Sequence, residues 1–99
     1  MTNLMVAETI IRQMGGAKRL GLMVGATQFL GSPDRVQFRF KGNPRVNSCV
    51  VKLDNDDTYT FQHWQITKSQ MTRRFEISGL YCDMLVETFE TETGLYLSL

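Results

Sequence analysis

The segment Arg35-Val36-Gln37-Phe38-Arg39-Phe40-Lys41 constrains this chain more than any other. Val36, Phe38 and Phe40 share one parity, and Arg35, Gln37, Arg39 and Lys41 take the other. A two-residue period belongs to a strand buried on one face and wet on the other, the pattern of an antiparallel sheet with a basic outer side. Such a strand needs partners and a layer over its aromatic face. The chain has 99 residues and 11.3 kDa, of which 42% are hydrophobic and 10% aromatic. That is room for one domain with a real core over residues 1–99. It leaves none for a TIM barrel, a full dinucleotide-binding fold or a two-domain enzyme.

Helical spacing frames the alternation. Leu4, Ala7, Ile10, Ile11 and Met14 recur every three or four residues and predict a helix over residues 3–14, with Thr2 or Asn3 as cap and Gly15-Gly16 as terminator. Leu20, Leu22 and Val24 alternate and read as a first strand over 19–25, followed by a loop over 25–31 and a turn at Ser32-Pro33-Asp34. After Gly42-Asn43-Pro44 comes a strand near 47–53 with Cys49, Val51 and Leu53 inward. Asp54 to Asp57 make a turn into a strand over 58–67. There Tyr59, Phe61 and His63 lie on one parity and Trp64 and Ile66 on the other, and the change of parity suggests a bulge or a strand covered on both faces. A strand over 73–77 places Phe75 and Ile77 inward. A last helix runs from an N-cap at Ser78 to Gly94, with Tyr81, Met84, Leu85, Thr88 and Phe89 on one stripe. The expected fold is two-layer α+β: α-β-β-β-β-β-α, an antiparallel meander with both helices on one face.

Motifs for chemistry are scarce. One histidine and two cysteines, Cys49 and Cys82, give neither a zinc pattern nor a disulfide scaffold. Asp54-Asn55-Asp56 superficially suggests a calcium loop, but Tyr59 stands at the glycine position and Gln65 at the bidentate glutamate position, so a hairpin turn is expected. Cys82 with His63 is the single thiol–imidazole pair for a nucleophile, and no phosphate-cradling glycine motif occurs. No cofactor is expected. No apolar run approaches the roughly 18 residues of a membrane span, and the opening residues lack a basic secretory signal, so the cytoplasm is the expected compartment.

Charge is balanced overall, +1, yet uneven along the chain. Residues 1–78 carry eleven basic against six acidic side chains, net +5, and residues 79–99 carry −4. Arg39, Lys41, Arg45, Lys52, Arg73 and Arg74 are candidate phosphate contacts, with Trp64 as a candidate stacking platform. The same residues suit a protein partner. So do the apolar tail, Gln28-Phe29-Leu30, Trp64 with Ile66 and the six methionines. The tail, Leu95, Tyr96, Leu97 and Leu99, is expected to dock on the body or on a second copy as a homodimer contact.

Several stretches look like one group of proteins. They are Met1-Thr2-Asn3-Leu4, Val6-Ala7-Glu8-Thr9-Ile10, Met23-Val24-Gly25-Ala26 before Phe29, Asp57-Thr58-Tyr59, the run from Tyr81 to Glu90, and Thr93-Gly94-Leu95-Tyr96. In these the chain resembles small proteins encoded by bacteriophages and prophages, over most of its length. The resemblance carries no activity and no functional residue. It implies a setting, an accessory protein made in a host bacterial cytoplasm. By analogy, small phage proteins of this size often bind host or phage machinery, including host defences. The sequence therefore favours a non-enzymatic protein that binds a host or phage protein, as an anti-defence or replication-accessory factor. A nucleic-acid binder using the basic sheet face is the alternative, and an enzyme comes third.

Overall fold

The computed structural model describes residues 5–97. Its architecture is α+β: a five-stranded antiparallel sheet in the order β1-β2-β3-β4-β5, with helices at both ends of the chain. The strands are β1 Thr27–Ser32, β2 Arg35–Arg39, β3 Ser48–Leu53, β4 Tyr59–Ile66 and β5 Met71–Leu80. The helices are α1 Met5–Gln13, α2 Ala17–Val24 and α3 Leu85–Thr93, the last preceded by a 3₁₀ turn over Cys82–Met84. The proposed caps Thr2 and Asn3, with Leu4 and Leu99, lie outside the described residues.

One core forms between sheet and helices. Ala7, Ile10, Met14, Leu20, Val24, Leu85 and Phe89 pack onto Val36, Phe38, Phe40, Cys49, Val51 and Phe61 in a single cluster. Burying each large side chain is worth roughly 1.5–3 kcal/mol, and Phe38, Phe61 and Phe89 have no exposed surface at all. The alternation in β2 is realised as expected: Val36, Phe38 and Phe40 are buried while Arg35 and Lys41 are exposed.

Three expectations are corrected. The segment proposed as the first strand is helix α2. Leu20 and Val24 are four apart and share the buried side of a helix, whereas Leu22, expected beside them, is 77% exposed. Apolar residues at 20, 22, 23 and 24 satisfy both periods, and packing decided between them. Gly15 and Gly16 make the tight corner between the helices, with φ of 107° and 93°, and the Gly16 N–H reaches back to the Ile11 carbonyl at 2.9 Å.

The segment proposed as a loop is β1. Its pairing with β2 jumps from Thr27↔Arg39 to Leu30↔Gln37, so β1 carries one extra residue, and Gln28 sits at a φ of 55°. That bulge explains why alternation is unreadable there.

Ser78 is not a helix cap. It lies in β5, which extends to Leu80, and the helix begins only after the 3₁₀ turn. Two bulges lengthen β5. The ladder slips between Tyr59↔Leu80 and Phe61↔Ile77, where Gly79 takes φ 76°, and again between His63↔Phe75 and Trp64↔Arg73. The second slip lies beside His63, but β4 itself pairs with β3 without a break and the extra residue belongs to β5, at Arg74. Edge strands blunted in this way resist pairing with another chain.

The tail closes the core. Leu97 is 2% exposed and its N–H donates to the Glu90 carboxylate at 2.9 Å. Leu95 is half-buried over Gly42. Of the residues proposed for a second copy, Leu97 is committed to its own chain and Tyr96 is exposed.

Candidate functional site: the open face of the sheet

All three helices contribute to the core on one side of the sheet, so the outer side is bare. The register places its side chains in cross-strand rows. One row is Thr27, Arg39, Ser48, Trp64 and Arg73. The next is Leu30, Gln37, Val50, Gln62 and Glu76. The third is Ser32, Arg35, Lys52 and Thr60, with the Ser78 hydroxyl 3.0 Å from that of Thr60. A depression of about 180 Å³ lies among Arg35, Gln37, Val50, Gln62, Trp64 and Met71.

Trp64 is fixed from several directions. Its indole N–H donates to Gln62 Oε1 at 3.0 Å, so the ring leans along its own strand. The Gln62 amide in turn donates to Glu76. Ser48, between Trp64 and Arg39 in the row, is fully buried although it faces the open side, and its hydroxyl has no partner. Arg39 and Trp64 flank it on the neighbouring strands. Arg39 Nε is likewise buried without a partner. The Asn47 side chain holds the end of β4 by pairing with both backbone groups of Ile66, each at 2.8 Å.

The cations on this face differ in freedom. Arg35 binds the Asp34 carboxylate through Nε at 3.0 Å and Nη2 at 3.2 Å. Asp34 is thereby held below its usual pKa, chiefly by that hydrogen bond, and Arg35 is raised by the same bond. Both are about half exposed, so the pair adds at most about 1 kcal/mol to stability. Arg73 lies 3.5 Å from Glu76. Among the described residues, Arg39 and Lys52 have no carboxylate within ion-pair reach.

The seven proposed binding residues therefore separate. Arg39, Lys52, Trp64 and Arg73 share the open face. Lys41 packs its stem beside Gly25 where α2 meets β1. Arg45 and Arg74 line a cleft with His63 and Glu92 at the helix side of the sheet. Parity alone would have found Gln37, Val50 and Gln62 beside Trp64; it would have misplaced both Arg73 and Arg74, whose sides follow from the bulge.

The other candidates fall apart chemically. His63 is 1% exposed in a box of Phe40, Phe61, Phe75 and Phe89, with ring centroids 4.9–6.0 Å away. Burial holds its pKa down to about 4. Cys82 is exposed and lies near Tyr59, whereas His63 is four residues further along β4, about 13 Å. The thiol–imidazole pair is not assembled. Burial pushes the Cys49 thiol up. Asp54 and Asp56 spend their carboxylates on the Thr60 and Thr58 hydroxyls within the hairpin turn. No group of three His, Cys, Asp or Glu is placed to hold a metal among the described residues. No described helix is long and apolar enough to cross a membrane.

Fold and site together define a class: an open-faced antiparallel sheet, helices behind and a tryptophan-centred polar–apolar surface in front. No protein-family model, curated protein or solved structure matches the chain.

Proposed function

We propose that the chain is a non-enzymatic binding module that docks a protein partner on the open face of its sheet. The observation that carries this reading is the mixed character of that face. Trp64, Val50, Met71 and Leu30 lie on the same side as Arg39, Arg35 and Arg73. Met71 is 59% and Leu30 62% exposed. Tryptophan, methionine and arginine around an apolar centre make up the composition of interface hot spots. Unneutralised Arg39 and Lys52 favour a partner with acidic groups at its rim.

The resemblance to small bacteriophage and prophage proteins supports the setting. The partner is then a host or phage protein in the bacterial cytoplasm, of the host-defence or replication machinery.

The test is comparative capture from a bacterial lysate with wild type, Trp64→Ala, Arg39→Glu and the helix-side control Leu22→Ser. The reading expects one protein held by wild type and Leu22→Ser and lost by the two open-face variants. Identical retention by all four overturns it.

A second reading, single-stranded nucleic acid, is favoured by one observation. Arg39, Trp64 and Arg73 occupy a single row, with neighbouring strands about 4.8 Å apart, so cations flank a stacking surface. Ion pairing of Arg35 and Arg73 weakens it. Saturable binding of labelled DNA or RNA that falls steeply between low and moderate salt would select this reading over a protein partner.

A further inference from the structure

On the other side of the sheet, a cleft of about 610 Å³ opens where the 43–46 loop, the bulged end of β5 and the last turn of α3 converge. Its volume lies within the range of small-molecule sites. Three features set it apart from a surface irregularity.

The first is an orphaned group. His63 lines the cleft, is 1% exposed, and its Nε2 has no hydrogen-bond partner. A buried polar atom left unpaired is destabilising, and a ligand with a complementary atom recovers that loss.

The second is charge. Arg45 and Arg74 both line the cleft, and neither has a carboxylate within ion-pair reach among the described residues. Arg74 faces this side because the bulge turns it away from Arg73, and its guanidinium is oriented by Gln65 Oε1, 3.2 Å from Nε.

The third is rigidity. The Asn43 amide donates to the Thr93 carbonyl at 2.9 Å, and its Oδ1 accepts the Arg45 and Val46 N–H groups at 2.8 and 3.3 Å. The loop carrying Arg45 is thus pinned to the end of α3. Sites of this kind bind without first ordering themselves.

We propose that this cleft is a binding site, separate from the open face, for a small organic phosphate monoester bearing hydroxyl groups. Two guanidiniums suit the doubly charged phosphate. Val46 and Phe75 give apolar wall to an organic body, and the cleft is far larger than a bare ion requires. Glu92 repels an isolated anion and accepts a hydrogen bond from a ligand hydroxyl.

The test titrates the ¹⁵N-labelled full chain with ribose 5-phosphate, inorganic phosphate, ribose and acetate, reading the His63 ring resonances. Ribose 5-phosphate is expected to give saturable shifts with a Kd of about 1 mM or tighter. Inorganic phosphate is expected to bind about tenfold more weakly, and ribose or acetate not measurably. Arg45→Gln and Arg74→Gln each weaken the ester about tenfold. Arg73→Gln, on the opposite face, leaves it unchanged. Glu92→Gln tightens inorganic phosphate and weakens the ester. The proposal fails if no phosphate saturates, if inorganic phosphate or acetate binds as tightly as the ester, or if Arg73→Gln weakens binding as much as Arg74→Gln. Trp64→Ala, which removes the open-face partner, is expected to leave this titration intact, so the two readings fail separately.

Discussion

The two faces of the sheet are made by the same strands, one residue out of step, and they obey different rules. On the helix side, His63 and four phenylalanines share an aromatic box, and a group able to carry charge is kept neutral. On the open side, Trp64 lies one position along and keeps its N–H bonded to Gln62 while arginines stand in its row. The comparison teaches that cover, more than residue type, sets the chemistry. Behind the sheet, polarity is a cost to be recovered; in front, it is a means of recognition.

The largest effect that sharpens this contrast is a core truncation. Phe61→Ala is expected to cost about 3–5 kcal/mol in urea unfolding, because it opens a cavity that close packing cannot fill. Trp64→Ala should cost less than half of that while abolishing partner capture. Equal losses from the two would erase the distinction between the faces.

Acid should act through the covered face. His63 is held at about 4 when folded, against 6.5 in an open chain. The unfolded chain takes up a proton below pH 6.5 and the native chain resists until about 4. The stability is therefore complete above pH 6.5 and lost as pH falls towards 4. Between pH 7 and 4.5 the loss should be about 2 kcal/mol, and His63→Phe should remove that slope. Asp34 and Asp56, whose pKa values are lowered from 3.8, act below this window.

On the open face, Val50→Ala is expected to cost about 1 kcal/mol or less, since the residue is half-buried and leaves no enclosed cavity. A loss near that of Phe61→Ala would mean that something covers this face in solution, and sedimentation would then report a dimer.

The smallest effect has the opposite sign. A Cβ on Gly21 would meet no heavy atom nearer than the Ala26 carbonyl oxygen at 3.8 Å. Gly21→Ala is expected to stabilise the chain by about 0.5–1 kcal/mol, seen as a raised Tm, because it makes α2 a better helix on an exposed side.

Much of this was legible along the chain. The four hairpin-linked strands from Arg35 onward followed from alternation, whereas the change of parity beside His63 left a bulge or a doubly covered strand open, and the bulge lies in the neighbouring β5. The α2–β1 stretch was not legible. Leu20, Leu22, Met23 and Val24 fit either period, and the bulge at Gln28 hides the alternation of β1. Of the seven proposed contacts, Arg39, Lys52 and Trp64 come together on one face because parity carries across paired strands, and Arg73 joins them only because the slip at Arg74 moves it off the parity of Phe75. Arg45 and Arg74 part from them because a loop pinned by Asn43 and a one-residue slip in β5 turn them to the opposite side.

Residue order by itself determined that one side of a sheet would be aromatic and the other basic, since side chains on a strand alternate whatever surrounds them. Which of these sides stays dry, where the first strand begins, and that His63 meets Arg45, Arg74 and Glu92 around one cleft were decided by tertiary packing. Those outcomes depend on burial shared among distant segments, and local spacing carries no record of it.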